Sequence, residues 1–291
     1  MEQTIERLDT VKAQVHDAGW GHQFDAEIDR RFAAGETRFK LMGEAPIEDR
    51  HKLTAELEFS LGGNSAYYNG MKTTLYKDGA TTGVTQFFPY YDKITVTEAA
   101  NLLVDQENPR AVYKHYYDDN SQRYGTWLQL DFNQKTENDN HVVKTFHDNY
   151  GFKPVAKLEE YAFVELSTPE KRREAVRIME QGAEIIVTPV NNKEYDMVRV
   201  NANPERRGYA IRDMEGNFLT HQQFRTAEAL EKKNAHQQMT VVNMVDNSNK
   251  QAKEAAGDNE KKNDTPRQST GNKRPRQVKE GKNKHDKKVG R

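Results

Sequence analysis

Apolar residues recur along this chain with two different periods, and the switches between them mark its elements. Residues 3–17 place Ile5, Leu8, Val11 and Val15 on one helical face, and residues 22–34 repeat the pattern with Phe24, Ile28 and Phe32 at i, i+4 spacing. Gly19 and Gly21 separate the two runs, and Gly35 suits the exit from the second. A helical hairpin is predicted, with an apolar face that needs a surface to pack on. The period then falls to two. Leu53, Ala55, Leu57, Phe59 and Leu61 alternate with polar neighbours, and turn signals at Gly62-Gly63-Asn64 and Lys77-Asp78-Gly79 divide this strand from runs at 66–77 and 83–88. Thr95 and Glu98 have capping-box spacing, which predicts a helix from Val96 with Ala99, Leu102 and Leu103 inward. Strands follow at 111–117, 125–132 and 141–147.

A second unit begins near Pro154. It opens with a short helix over 155–161. A helix capped by Ser167 and Glu170 then runs to Gln181, with Ala175, Val176, Ile178 and Met179 on its core side. A meander of 183–189, 195–201 and 208–213 comes next, and Thr220 with Gln223 predicts a last helix over 221–234. The run Met239–Val245 reads as a final docking segment. Strands mixed with short helices, without a βαβ rhythm, indicate an α+β fold of antiparallel meanders. The division expected is an N-terminal domain over 1–153, a smaller one over 154–245 and a tail over 246–291.

Composition sharpens the last boundary. Residues 246–291 hold 14 Lys and Arg against 7 Asp and Glu, which leaves 30 against 38 in residues 1–245. No aromatic residue follows Phe224. A segment so poor in apolar side chains cannot offset about 1–2 kcal/mol of backbone entropy per ordered residue, so the tail is expected to be disordered. Its cations Lys273, Arg274, Arg276, Lys279, Lys282, Lys284, Lys287 and Lys288 can attract DNA or RNA phosphate by counterion release. The lack of aromatics speaks against base stacking there. The alternative is a solubilising terminus. The chain has no cysteine, which removes disulfides, thiolate metal sites and thiol nucleophiles together. The N-terminus lacks the basic start and apolar core of a signal peptide, and no apolar run approaches the roughly 18 residues of a membrane helix. A cytoplasmic protein without membrane contact is expected.

Candidate chemistry is sparse. His115, Asp118 and Asp119 lie close in sequence, as do His141, His147 and Asp148, and either set could seed a metal or acid–base site. Neither matches a known ligand spacing, and both suit ordinary strand-end and turn positions. Convergence of His115, Asp118, His141 and His147 in one cleft would favour an enzyme or ligand-binding protein. The aromatic pairs Tyr67-Tyr68, Phe87-Phe88, Tyr90-Tyr91 and Tyr116-Tyr117 should send one ring of each pair to the core. No phosphate loop and no Gly-x-Ser-x-Gly elbow occurs. Neither a cofactor nor a metal is implied.

The block Trp127-Leu128-Gln129-Leu130-Asp131-Phe132, followed by Val143 to Phe152, resembles a block in uncharacterised proteins of Bacteroides-type bacteria that accompany conjugative and other mobile elements. The helical opening and the Thr95–Leu103 stretch look similar too. Val200-Asn201-Ala202-Asn203-Pro204 and the strand after it are similar to a small domain of unknown function from the same setting. The resemblance implies a bacterial cytoplasm and a role near DNA. It carries no activity, cofactor or site residue. The reading that results is a non-enzymatic accessory protein, with a protein-binding body and a tail that contacts nucleic acid weakly.

Overall fold

The alternation after residue 50 does produce a half-buried sheet. Strands β1 (Arg38–Pro46), β2 (Lys52–Gly62), β3 (Ser65–Tyr76) and β4 (Val84–Pro89) lie side by side in sequence order, each antiparallel to the next. The computed structural model that shows this describes residues 6–47 and 51–235. The basic tail and Met239–Val245 lie outside those residues. On β2, Leu53, Ala55, Leu57 and Phe59 face inward. Helices α1 (Leu8–Val15) and α2 (Asp25–Ala33) cover that face with Val11, Val15, Ile28 and Phe32, as the helical spacing requires. The rings of Phe32, Phe39 and Phe59 run through this core at centroid spacings of 4.8 and 4.9 Å.

Strand β1 has no counterpart in the sequence reading. Met42 points outward, and Gly43 and Pro46 hide the alternation of Phe39 and Leu41. Gly43 is needed for close approach, because a Cβ there would stand 2.6 Å from Trp20 Cζ3. A bulge where β2 shifts between Glu58 and Phe59 is accommodated by Gly70 (φ 138), which lies under the Phe88 carbonyl.

Helix α3 (Val96–Leu103) starts at the predicted capping box. Thr95 Oγ1 accepts from the Glu98 N–H at 3.2 Å, and the Glu98 carboxylate accepts from the Thr95 N–H at 2.8 Å. It packs on β3 and β4 and on the next sheet, β5 (Ala111–Tyr117), β6 (Arg123–Lys135) and β7 (His141–His147), again antiparallel in sequence order. Where β4 meets β7, side chains do the pairing. Gln86 Oε1 accepts from the His141 N–H at 2.8 Å, and Asn140 Oδ1 accepts from the Phe87 N–H at 3.0 Å.

Beyond β7 come α4 (Pro154–Leu158), α5 (Pro169–Glu180) and a third antiparallel sheet of β8 (Ile185–Val187), β9 (Val198–Asn203) and β10 (Gly208–Arg212), with β9 central. The middle of the sheet β5–β7, along β6, is buried on both faces. Val112, Leu128 and Leu130 belong to the core under α1 and α3, whereas Ala111, Trp127 and Phe146 belong to a second core with α5, β8–β10 and Phe224. The fold class is therefore the α+β arrangement of antiparallel meanders and short helices expected from the pattern.

Three local expectations are corrected. Helix α5 is capped by Thr168, whose hydroxyl accepts from the Lys171 N–H, and not by Ser167, because Pro169 fixes the first turn one residue later. Ile178 on α5 is exposed. Residues 221–224 form a 3₁₀ turn that drops Phe224 into the second core; the helix starts at 227, with Thr226 Oγ1 accepting from the Ala229 N–H. No helix among the described residues is long and apolar enough to cross a membrane.

Candidate functional site

The hairpin between β9 and β10 builds one wall of a polar recess. Asn203 and Gly208 pair in register, which leaves Pro204-Glu205-Arg206-Arg207 as the loop. Pro204 presets the first turn dihedral, Asn203 Oδ1 accepts from the Arg206 N–H at 3.1 Å, and Arg207 takes the left-handed conformation (φ 52) that closes the loop. The tip is clamped from outside. The Arg207 guanidinium lies 4.5 Å over the Tyr150 ring, the Tyr150 hydroxyl donates to the Glu205 carbonyl, and Lys144 Nζ stands 3.0 Å from the Glu205 carboxylate. The hairpin tip is thereby clamped, with the Arg207 guanidinium seated on Tyr150 and the adjacent Arg206 exposed. Among the described residues, neither has a carboxylate within ion-pair distance.

The opposite wall comes from α4 and the 218–225 segment. Lys157 pairs with Glu160 at 3.0 Å, and Arg225 pairs with the same carboxylate while lying 5.3 Å over the Tyr161 ring. Burial raises the Glu160 pKa, but Lys157 and Arg225 outweigh it and hold the group below the usual carboxylate range. The Tyr161 hydroxyl lies 2.7 Å from His221 Nδ1. Burial pushes Tyr161 up to about 12, so it keeps its proton. When it donates to Nδ1, His221 carries its proton on Nε2. Burial, then the cations Arg225, Lys157, Lys233 and Arg206, lower the His221 pKa and keep the imidazole neutral.

Between these walls lies a recess of about 580 Å³, within the usual range for a small-ligand cleft. Gln129 on β6 lies on its floor. Its amide nitrogen donates to the Pro109 carbonyl, while its Oε1 is buried without a partner. The lining brings Lys157, Arg206, Arg207 and Arg225 together against Glu107 and Glu205. Glu160 already serves Lys157 and Arg225, so Arg206 and Arg207 are the groups left to meet an anion. Tyr209 and Phe218 supply apolar walls.

The predicted histidine and aspartate sets do not build a site. His115 pairs across to Gly125 and His147 to Thr126, so the two rings project from opposite faces of the sheet. His141 is at the far end of β7, buried against Phe132, and burial lowers its pKa. Asp118 accepts from the Asn120 and Gln122 N–H groups, and Asp148 accepts from the Tyr113 hydroxyl at 2.6 Å and from the Gly125 N–H. Both carboxylates are engaged in turns and strand packing. Tyr68 and Phe88 are core residues with Tyr67 and Phe87 more exposed, as alternation predicts, whereas Tyr90 and Tyr91 sit on a 3₁₀ turn and are both exposed. The cations Lys273 to Lys288 lie outside the described residues. The sequence reading missed the recess because its parts are scattered from Glu107 to Arg225; the one local signal was the Arg206-Arg207 pair inside an Asn-Pro turn.

No family model matches the chain, and neither a curated protein nor a solved structure matches it.

Proposed function

We propose that this chain is a non-enzymatic accessory protein of a mobile genetic element, with a body that docks a protein partner and basic groups that hold nucleic-acid phosphate. The observation that carries the phosphate reading is the Arg206-Arg207 pair, placed by the hairpin tip at a cleft in which Glu160 and Glu205 serve other cations. The tail adds sequence-independent attraction through Lys273, Arg274, Arg276 and the lysines after them. The acidic balance of residues 1–245 supports a basic protein partner for the rest of the surface. The mobile-element setting rests on the resemblance around Trp127–Phe132 and Val200–Pro204.

The experiment is fluorescence anisotropy with labelled single- and double-stranded DNA across a salt series. Three proteins are compared: the full chain, a truncation after Val245, and R206A/R207A. Affinity should fall steeply with salt for the full chain, and each variant should lower the slope by roughly 0.7–0.9 for every phosphate it no longer neutralises. Equal binding by all three proteins, or binding indifferent to salt, rejects the reading. A second reading is favoured by the unpartnered Gln129 Oε1: the recess takes a small anion with a donor group, such as a nucleotide. Saturable nucleotide binding that disappears in R206A/R207A but persists in the truncation selects it.

A further inference from the structure

The turn joining α1 to α2 carries a constellation unrelated to the recess. His16 begins the turn, His22 follows it, and Asp25 is the first residue of α2. His16 Nε2 is 2.7 Å from Asp25 Oδ1, and His22 Nδ1 is 2.9 Å from Asp25 Oδ2. The two imidazole centroids are 4.0 Å apart, edge to face. One ligand atom from each of the three residues lies within 4.8 Å of the others, and among the described residues this is the one set of three that does so.

We propose that His16, His22 and Asp25 bind a divalent transition-metal ion of the zinc type. Two imidazole nitrogens and a carboxylate suit zinc, cobalt or nickel and do not suit calcium or magnesium, which call for all-oxygen shells. Zinc–ligand bonds of about 2.0–2.2 Å put donor atoms of one tetrahedral shell about 3.3 Å apart, so donor atoms that now lie within 4.8 Å of one another need close by at most about 1.5 Å to admit the ion. Three protein ligands leave one position for water.

The frame around the ligands is fixed by the core and not by the ligands themselves. Trp20, between the two histidines, is 4 % exposed and fills the space left by Gly43. Gly19 (φ 92) reverses the chain so closely against Val96 that a Cβ would stand 3.0 Å from Val96 Cγ1. Ile28 and Phe32 seat α2, and Val15 seats α1 beside His16. His22 is 81 % exposed at the side chain, and among the described ring contacts its imidazole meets only that of His16. Without metal, a carboxylate shared by two imidazoles is a set of hydrogen bonds open to water; an ion takes the place of both bonds, and each liganding imidazole then carries a proton only on its other ring nitrogen.

The test uses the full chain stripped with a chelator and titrated with zinc chloride and, separately, cobalt(II) chloride and magnesium chloride. Zinc and cobalt should bind one to one, with cobalt broadening the ring resonances of His16 and His22, and magnesium should not bind. His22→Ala and Asp25→Asn should each weaken zinc affinity at least about tenfold, the scale at which even outer-shell changes act on metal sites. The exposure of His22 makes H22A safe for folding, and an unchanged circular dichroism spectrum checks it. Zinc affinity unchanged in both variants, or cobalt broadening confined to other histidines, overturns the assignment.

Discussion

Asp92 sits at the end of the 3₁₀ turn after β4, and among the described residues its carboxyl has no favourable partner to offset its removal from water. Burial raises its pKa to about 6. An unfolded aspartate titrates near 3.9, so between about pH 4 and pH 6 the folded chain holds a proton that the unfolded chain has released. Stability contributed by this group is full below pH 4 and falls as pH rises through 6. Asp92→Asn removes the charge and keeps the shape. The substitution should stabilise the protein by on the order of 1 kcal/mol at pH 8, a figure discounted for partial exposure, and by almost nothing at pH 4. Urea midpoints at the two pH values check this; an equal gain at both would mean that the effect is not electrostatic. Gly125, by contrast, answers to one neighbour. A Cβ there would meet the Tyr113 hydroxyl at 1.7 Å, so the glycine makes room for the hydrogen bond that Tyr113 donates to Asp148.

At the scale of elements, Glu98 has more than one duty. Glu98 closes the cap of α3 and also takes the ammonium of Lys114 from β5, although its side chain is only 8 % exposed. Helix and sheet are thus joined at a helix end. Thr95→Ala should cost about 1 kcal/mol, read as a lower urea midpoint with unchanged slope. A cost under a few tenths would show that the hydroxyl contributes little beyond Glu98.

This cap was legible because four consecutive residues carry it, and β2 was legible because its apolar positions alternate without interruption. Strand β1 was not, since its inward positions include Gly43, chosen by the shape of a tryptophan more than twenty residues earlier. The shifted start of the last helix was equally hidden. Thr220-x-x-Gln223 has the spacing of a cap, but Phe224 is worth more in the second core than in a helical turn. Local signals fix an element only where no distant cavity competes for one of its side chains.

At the scale of the molecule, charge does what short-range pattern cannot. Glu184, before β8, contacts Arg110, Arg199 and Arg212, and Asp105 takes the other side of Arg212 at 2.7 Å. Burial opposes the Arg212 charge, yet Glu184 and Asp105 outweigh it and raise its pKa. The network ties the start of β5 to β9 and β10, beside a buried hydrogen bond from Asn108 to Asn201. The Glu184 side chain is 9 % exposed, so Glu184→Ala leaves the largely buried Arg110 without its carboxylate and Arg212 with Asp105 alone. The substitution should cost about 3–5 kcal/mol, seen as a large fall in the denaturation midpoint. Glu184→Gln should lie between the wild type and E184A, and a cost under about 1 kcal/mol for E184A would show that water already reaches the arginines. The recess was illegible for a related reason: β6, α4 and a 3₁₀ turn each lend it a single side chain beside those of the β9–β10 hairpin, and nothing in their sequence separation announces the meeting.

Strand β6 places Trp127 and Leu128 side by side and sends them into different interiors. A sheet with one wet face can tolerate some sliding, because the misplaced residues find solvent. Here a shift of one position would force an indole into a space shaped for leucine and leave a void where the indole had been, on both sides at once. The strand therefore has a single usable alignment, and its neighbours on either flank inherit their positions from it.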